Sequence, residues 1–363
     1  MRKAKGETQN NGQRTRPIIP TITTSTKTRR APAQHKPTDV RLGRVVRLLM
    51  DHATVVASGT KIAEELGTSR SEVWRVIQQL RGLGVDVAGH PATGYRLRAV
   101  PDLMLPEMVG PLVKGTIFSK QIHHYYKIGS TNSEAMNAAT EGAPEGSVFL
   151  AEEQLTGRGR GAHSWHSPQS SGIYCSVILR PSMPPSDALI FSLAAGLAVA
   201  AAVNDVAGCA VDLKWPNDVL YAGKKFCGIL TEMNAEATRV RFLVVGVGIN
   251  VNQAKFPVEL RSLATSLRLE TGTEWSRVEL CAALLKSLDR EYRALLKNAP
   301  AARASVIERF EKNSSSVRGR QVRIEENGQV EGTTEGLDTR GFLQVRAADG
   351  VQPVLSGTVK IIS

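Results

Sequence analysis

The sequence predicts an α+β chain in three folded parts: a winged helix-turn-helix over residues 39–100, a larger α/β body over 101–313, and a small β-barrel over 314–363. Three observations predict it. Apolar residues recur at helical spacing in short segments separated by Gly67 and by a Ser-x-x-Glu box at 69–72. Between residues 148 and 252, apolar strands alternate with Gly- and Pro-rich turns and one long Ala-rich helix. From residue 322 on, apolar runs alternate around Asn327-Gly328 and Asp349-Gly350 turns. A chain of 363 residues also exceeds the usual size of one domain.

Residues 1–38 carry nine Lys/Arg against Glu7 and are rich in Thr, Pro, Asn and Gln, so a disordered basic tail is expected. Residues 39–98 carry nine basic against six acidic side chains, and the remaining 265 carry 28 against 27. The net charge of +12 therefore belongs to the first hundred residues, which suggests a front end facing nucleic acid rather than a basic enzyme. The amino terminus has charges but no apolar h-region, so no secretory signal is expected. The longest uncharged apolar stretch, the 16 residues from Ala188 to Val203, falls short of a membrane span and reads as a buried helix. Cys175, Cys209, Cys227 and Cys281 lie far apart without zinc-type spacing; reduced thiols, no permanent metal and a cytoplasmic location away from membranes are expected.

From Val40, the residues Leu42, Val45, Val46 and Leu49 mark a first helix, and Ile62, Ala63 and Leu66 a second that Gly67 ends. Ser69 and Glu72 start a third, whose buried stripe is Val73, Val76, Ile77 and Leu80. Two short helices joined by a tight Gly-containing turn make a helix-turn-helix. Ser69, Arg70, Ser71, Trp74, Arg75 and Gln78 offer side chains able to contact base edges and phosphates, the expected DNA-binding set. Val85 to Val87, a turn through His90 to Gly94, and Tyr95 to Leu97 read as a two-stranded wing.

Three segments of the body carry the chemistry. The apolar strand Val148–Ala151 runs into Gly157-Arg158-Gly159-Arg160-Gly161, where glycines let the backbone approach a ligand and guanidiniums can neutralise phosphate or carboxylate. Similar runs occur in RNA-binding tails and solvated loops; the position between strands, followed by Trp165, favours a ligand loop. Lys214-Trp215-Pro216-Asn217-Asp218 sets a cation, an amide and a carboxylate at a Pro-stiffened turn, suited either to a magnesium–phosphate group or simply to a satisfied surface turn. Lys224-Lys225 then leads into a strand, Phe226–Glu232. Val244 to Asn252 reads as a buried strand in which Gly246 and Gly248 admit a flat ligand against the backbone.

Taken in order, these segments and Ser130-Thr131-Asn132 give a chain that resembles the bacterial biotin–protein ligases of the bifunctional class, which also repress the biotin operon. The resemblance runs from about residue 40 to the end. One departure concerns the ligand loop: many members carry a further Arg and then Gly after GRGR, where this chain has Gly161-Ala162. The resemblance implies a class II synthetase-like ligase domain and an SH3-like C-terminal barrel. It implies ATP, Mg²⁺ and biotin as reactants, biotinoyl-AMP as intermediate, and a lysine of the biotin carboxyl carrier protein of acetyl-CoA carboxylase as acceptor. Operator DNA and a homodimer formed with the adenylate bound are the remaining implied partners.

By the same resemblance Arg158, Gly159, Arg160, Lys225, Gly246 and Gly248 line the biotin site, with Ser130, Thr131, Asn132 and Gln154 offering hydrogen bonds to the ureido ring. Lys214, Asn217 and Asn250, with both arginines, would face ATP. Lys225, Arg160 and Asp218 are the expected catalytic residues, Asp218 chiefly by positioning the acceptor lysine. Three alternatives remain: a lipoate–protein ligase of similar chemistry, a ligand-sensing transcription factor with an inactive body, and a ligase whose front domain regulates nothing.

Of the rest, Ser186-Asp187 should begin the Ala-rich helix, Val278, Cys281, Leu285, Leu288, Tyr292 and Leu295 mark a second amphipathic helix, and Ala301–Glu311 a short third.

Overall fold

The computed structural model describes residues 40–52, 56–90, 94–99, 101–325 and 330–362. The expected tail at 1–38, the wing residues Pro91 to Thr93 and the Asn327-Gly328 turn lie outside the described residues.

The front end is built as its sequence directs. Helix α1 (Val40–Asp51) buries Leu42, Val45, Val46 and Leu49; α2 (Gly59–Leu66) buries Ile62 and Ala63. Gly67 ends α2 at φ +62°, the left-handed conformation that favours glycine. Ser69 then caps α3 (Arg70–Gly82), its hydroxyl accepting from the Glu72 N–H at 3.2 Å. The wing is the antiparallel pair β1 (Val87–His90) and β2 (Gly94–Leu97), starting two residues later than expected.

After α4 (Pro106–Leu112), the body is a seven-stranded sheet in the order β3-β4-β5-β9-β8-β7-β6. Its strands are β3 (Ile122–Tyr125), β4 (Val148–Ala151), β5 (Gly172–Leu179), β6 (Asp212–Lys214), β7 (Asp218–Tyr221), β8 (Lys224–Ala235) and β9 (Val240–Asn250). Only β3 and β4 pair in parallel; the other neighbours are antiparallel. Five further helices complete the body: α5 (Thr131–Thr140), α6 (Leu189–Ala207), α7 (Leu267–Thr271), α8 (Arg277–Lys297) and α9 (Ala299–Lys312).

Helix α6 is longer than its uncharged stretch suggests. With the turn before it, Pro185–Ala207 is long and apolar enough by composition to cross a membrane, yet 72% of its apolar window is buried inside the fold, against α8, α9 and the sheet. All-round apolarity here marks a core helix. The four cysteines are free thiols, and Cys175, Cys227 and Cys281 are buried.

After α9 (Ala299–Lys312), the C-terminal part holds β10 (Arg318–Glu325), β11 (Val330–Leu337), β12 (Leu343–Ala347), β13 (Gly350–Val354) and β14 (Thr358–Ile361). They form one antiparallel sheet in the order β13-β12-β11-β10-β14. Among the described residues β13 and β14 are its two edges and do not pair, so what is described of the expected barrel is a five-stranded sheet without closure. Strand β11, rich in Gly, Thr and Glu, lacks the apolar alternation that would have betrayed it. The sheet is pinned to the body by Trp215, 2% exposed, whose indole N–H donates to the Gly341 carbonyl at 2.9 Å.

Candidate active site

A cavity of about 510 Å³ opens on the face of the large sheet. The N-terminus of α5, the loop between β4 and β5, the β6–β7 hairpin, β8, β9 and, at its rim, Gly357 to Val359 of the C-terminal sheet all contribute. Every expected ligand residue of the body except Asn250 lines it. Asn250 is 3% exposed and its amide is spent internally, donating to the Thr265 carbonyl (3.0 Å) and accepting from Gln253 (3.1 Å).

The polar wall is an interlocked set. Ser130 caps α5, accepting from the Ser133 N–H at 3.5 Å. The Thr131 N–H donates to Gln154 Oε1 at 2.9 Å, and Gln154 Nε2 donates to Ser167 Oγ at 2.9 Å. The Ser176 hydroxyl, fully buried on β5, lies 2.7 Å from Asn132 Oδ1 and 2.8 Å from Thr131 Oγ1. Asn132 Nδ2 donates to Glu232 at 2.9 Å and to the Leu230 carbonyl at 3.3 Å. Ser176 and Glu232 carry no signal in the sequence, because strand pairing alone brings them beside α5, and Ser167 enters only through the loop that carries it back to Gln154.

The two floor glycines make room for the protein's own side chains. A Cβ on Gly246 would sit 2.0 Å from Asn132 Oδ1, and one on Gly248 would sit 2.5 Å from Trp165 Nε1. Trp165 thus lies flat over Gly248, and Lys225 Nζ stands 5.5 Å from its ring centroid, within cation–π range. The indole Nε1 is buried without a partner among the described residues, a donor left for a ligand.

The cations divide by partner. Arg160 donates to the Asn217 amide oxygen at 3.2 Å, and Asn217 is held by its own bond to the Ile229 carbonyl at 2.9 Å. Lys214 and Asp218 pair across the β6–β7 hairpin whose turn is Trp215-Pro216-Asn217. Lys225 Nζ lies 2.7 Å from Asp218 Oδ1, an ion pair at the edge of the pocket. The Lys225 backbone is stitched to the loop 262–266, its N–H donating to the Leu263 carbonyl at 2.9 Å. Arg158 is engaged by a carboxylate, Glu232, at 2.9 and 3.3 Å. Of the ligand-loop glycines only Gly161 adopts positive φ, +57°, so the point of departure from the family pattern is where glycine is conformationally favoured.

Behind the site, Glu152 and Arg277 form a buried cluster. Glu152 accepts from Arg277 (2.7 Å), the Met104 N–H (3.0 Å) and Ser170 (3.2 Å), and its Oε1 lies 3.0 Å from His124 Nε2. Burial pushes its carboxyl up, but His124 and the Arg277 charge outweigh that and hold it at about 2. Arg277 also pairs with Asp102 at 2.9 Å. Sequence patterning registered α8 only as amphipathic and gave no warning of this arginine.

On the front end, Arg70, Ser71, Trp74 and Arg75 are exposed on α3, Trp74 at 57%. Ser69 is spent on its cap, Arg75 pairs with Glu72, and the Gln78 amide oxygen, in the orientation its neighbours require, accepts from Arg81 and the Trp74 indole.

Three family models match in order: an HTH domain over residues 41–96, the biotin/lipoate A/B protein ligase family over 126–250, and the biotin protein ligase C-terminal domain over 318–361. The bifunctional ligase/repressor BirA of Bacillus subtilis is 33% identical over 320 residues, covering 87% of this chain and 97% of the relative. That of Escherichia coli K12 is 29% identical over 308 residues, covering 84% and 93%. Among solved structures, the biotin protein ligase from Aquifex aeolicus in complex with biotin and ATP is 27% identical with a TM-score of 0.58, covering 67% of this chain and 99% of that one. With all three parts matched in order and one third of positions shared along nearly the whole relative, the chain belongs to the family of the bifunctional ligase/repressor BirA.

Proposed function

We propose that this chain joins biotin to ATP, transfers the biotinoyl group from the adenylate to a lysine of the biotin carboxyl carrier protein, and represses biotin-operon transcription as an adenylate-bound homodimer. The observation that carries the ligase half is one cavity in which Arg160, Lys214 and Lys225 converge on the Asn217–Asp218 turn beside a wall of hydroxyls and amides.

In the first step a biotin carboxylate oxygen bonds to the α-phosphorus as the bond to the pyrophosphate oxygen breaks. Two anions must approach, and Arg160, Lys214 and Lys225 offset their repulsion and the negative charge that builds on the phosphoryl oxygens. In the second step the carrier amine attacks the acyl carbon and AMP leaves. An ordinary lysine has a pKa of about 10.4, so the ammonium first loses one proton to solvent, and the nitrogen loses a second to solvent as the amide forms. Asp218, a carboxylate beside Lys225 at the pocket, orients that amine. Among the described residues no three His, Cys, Asp or Glu gather as metal ligands. A Mg²⁺ brought in with ATP would be held by the Asn217 amide and the Asp218 carboxylate together with phosphate oxygens, and would supply neutralisation of phosphate charge. Ser130, Thr131, Gln154 and Ser176 would discriminate the ureido ring through hydrogen bonds that the wrong acid leaves unpaired. Arg158, Gly159, Gly246 and Gly248 complete the biotin wall and floor in this reading, and Asn250 supports the adenosine side only indirectly.

The finer architecture follows the same reading: a DNA-binding unit over 39–100, a class II synthetase-like ligase unit over 101–313, and an SH3-like unit over 314–363, in a cytoplasmic protein. The test incubates the full chain with ATP, Mg²⁺, carrier domain and either biotin or lipoate. A mass gain on the carrier with biotin alone, lost in Lys225→Ala, is the expected result. A gain with lipoate would reassign the acid, and a gain with neither would overturn the ligase reading. Salt-resistant binding to biotin-promoter DNA that tightens with biotin and ATP tests the repressor half.

A further inference from the structure

The ligand loop 157–165 is folded mostly on itself: the Gly159 N–H donates to the His163 carbonyl at 2.7 Å and the Trp165 N–H to the Gly157 carbonyl at 2.8 Å. Two arginines tie it to opposite walls of the cavity. Arg160 reaches a neutral amide, Asn217, so its charge stays uncompensated by any carboxylate among the described residues and available to an anion. Arg158 instead forks onto Glu232 of β8, with Nη2 to Oε1 at 2.9 Å and Nη1 to Oε2 at 3.3 Å, and touches Ser133 Oγ at 3.4 Å. The same Glu232 Oε2 accepts from Asn132 Nδ2 at 2.9 Å in the first turn of α5. Asn132 cannot swing away: Ser176 holds its other end and the bare Gly246 backbone lies directly beneath.

We infer that Glu232 is a positioning residue, a latch that fastens the ligand loop to α5 and β8 through Arg158. The two loop arginines therefore do different work: Arg160 meets the substrate anion, while the Arg158 charge is spent on keeping the loop closed over it. Paired and bridging a helix start to a loop, the carboxylate accepts charge-assisted bonds from both sides. Because Arg158 remains 48% exposed and Glu232 23%, the latch is weak enough to open.

This rests on the proposed ligase activity only for its kinetic arm. Hydrogen–deuterium exchange of the ligand-free full chain is measured for wild type, Glu232→Gln, Arg158→Met, the double variant and Arg160→Met. Exchange in peptides spanning 157–165 should rise about fivefold in both single latch variants and no further in the double, a coupling expected of one shared interaction. Arg160→Met should lower the adenylation rate by far more than either latch variant does. In steady-state assays Glu232→Gln should raise the biotin KM about fivefold and lower kcat by less. Exchange in β9 reports on folding, and if Glu232→Gln unfolds, Arg158→Met carries the test. Unchanged loop exchange in the folded latch variants, or effects that add in the double, would overturn the latch. Absence of biotin-dependent pyrophosphate release by the wild type would overturn the ligase reading instead, and the exchange arm would still decide the latch.

Discussion

Two serines start the two helices that matter most here, and their fates differ. Ser69 caps α3 and Ser130 caps α5 by the same bond to an N–H three residues on. Beyond the cap, α3 turns Arg70, Trp74 and Arg75 out to solvent, whereas α5 turns Thr131 and Asn132 inward, each 4% exposed and bonded to strands far along the chain. The local signal fixes where a helix begins; the packing around it decides whether its polar residues stay exposed or are locked. The front end should therefore tolerate polar changes at little cost in stability, and the pocket should not.

The largest expected effect lies between the two regions. Residues 102–104 lead out of the wing, Glu152 leads into the ligand loop, and Arg277 holds both. Arg277→Met removes the cation that Asp102 and Glu152 share, and breaking a buried pair by removing one partner costs about 3–5 kcal/mol. Chemical denaturation should show that loss, with ligation and DNA binding failing together on warming. The pH dependence carries the same signature. The Glu152 carboxyl sits at about 2 against an ordinary 4.5, so its contribution is complete above pH 4.5 and is lost as pH falls from there through 2. Glu152→Gln should flatten that part of the acid limb.

Lys225→Ala should separate activity from stability. Loss of a charged donor at the reacting centre lowers the rate of adenylate formation by roughly 10²–10³. The unfolding midpoint should hardly move, since Lys225 is 36% exposed and a partly exposed ion pair contributes little to stability. A large stability loss would mean that the lysine is chiefly a structural stitch between β8 and the loop 262–266.

These contrasts also explain what the sequence made legible. The front end is encoded by neighbours: Gly67 at positive φ, Ser69 three residues before Glu72, and a stripe at 73, 76, 77 and 80. The ligand loop and the Lys214–Asp218 turn were legible as motifs because their residues are contiguous. Ser176, Glu232, Trp165 over Gly248, and Arg277 were not, because each acts through a partner at least 44 residues away that only the β5-β9-β8 pairing or the α8 packing supplies. The C-terminal part was legible in its apolar strands and the Asp349-Gly350 turn but not in β11 or its pairing order, and Asn250 was read into the pocket although its amide turns toward Thr265 and Gln253.

Gly248→Ala probes a smaller effect. The added Cβ would lie 2.5 Å from Trp165 Nε1, and the central strand β9 cannot retreat, so the indole must move. Overpacking of this kind costs about 1–3 kcal/mol. Displacing the ring also removes the surface beneath Lys225, so calorimetry should show weaker adenylate binding, while ligand-independent DNA binding stays as in wild type.

The smallest stability effect is expected at Trp74. A core Trp→Ala change costs about 3–5 kcal/mol, but a side chain 57% exposed on α3 has little packing to lose, and surface changes usually fall within about 0.5 kcal/mol. Trp74→Ala should therefore keep the wild-type unfolding midpoint and biotin-transfer rate while weakening specific DNA binding more than non-specific binding. Arg70→Ala supplies the contrast: removing a phosphate-neutralising guanidinium there should weaken binding to all sequences alike and reduce its salt slope by about one. If Trp74→Ala instead destabilises the fold by several kcal/mol, the outer face of α3 is a packing surface. The division between a front end of exposed polar residues and a pocket of locked ones would then fail at the residue chosen to exemplify it.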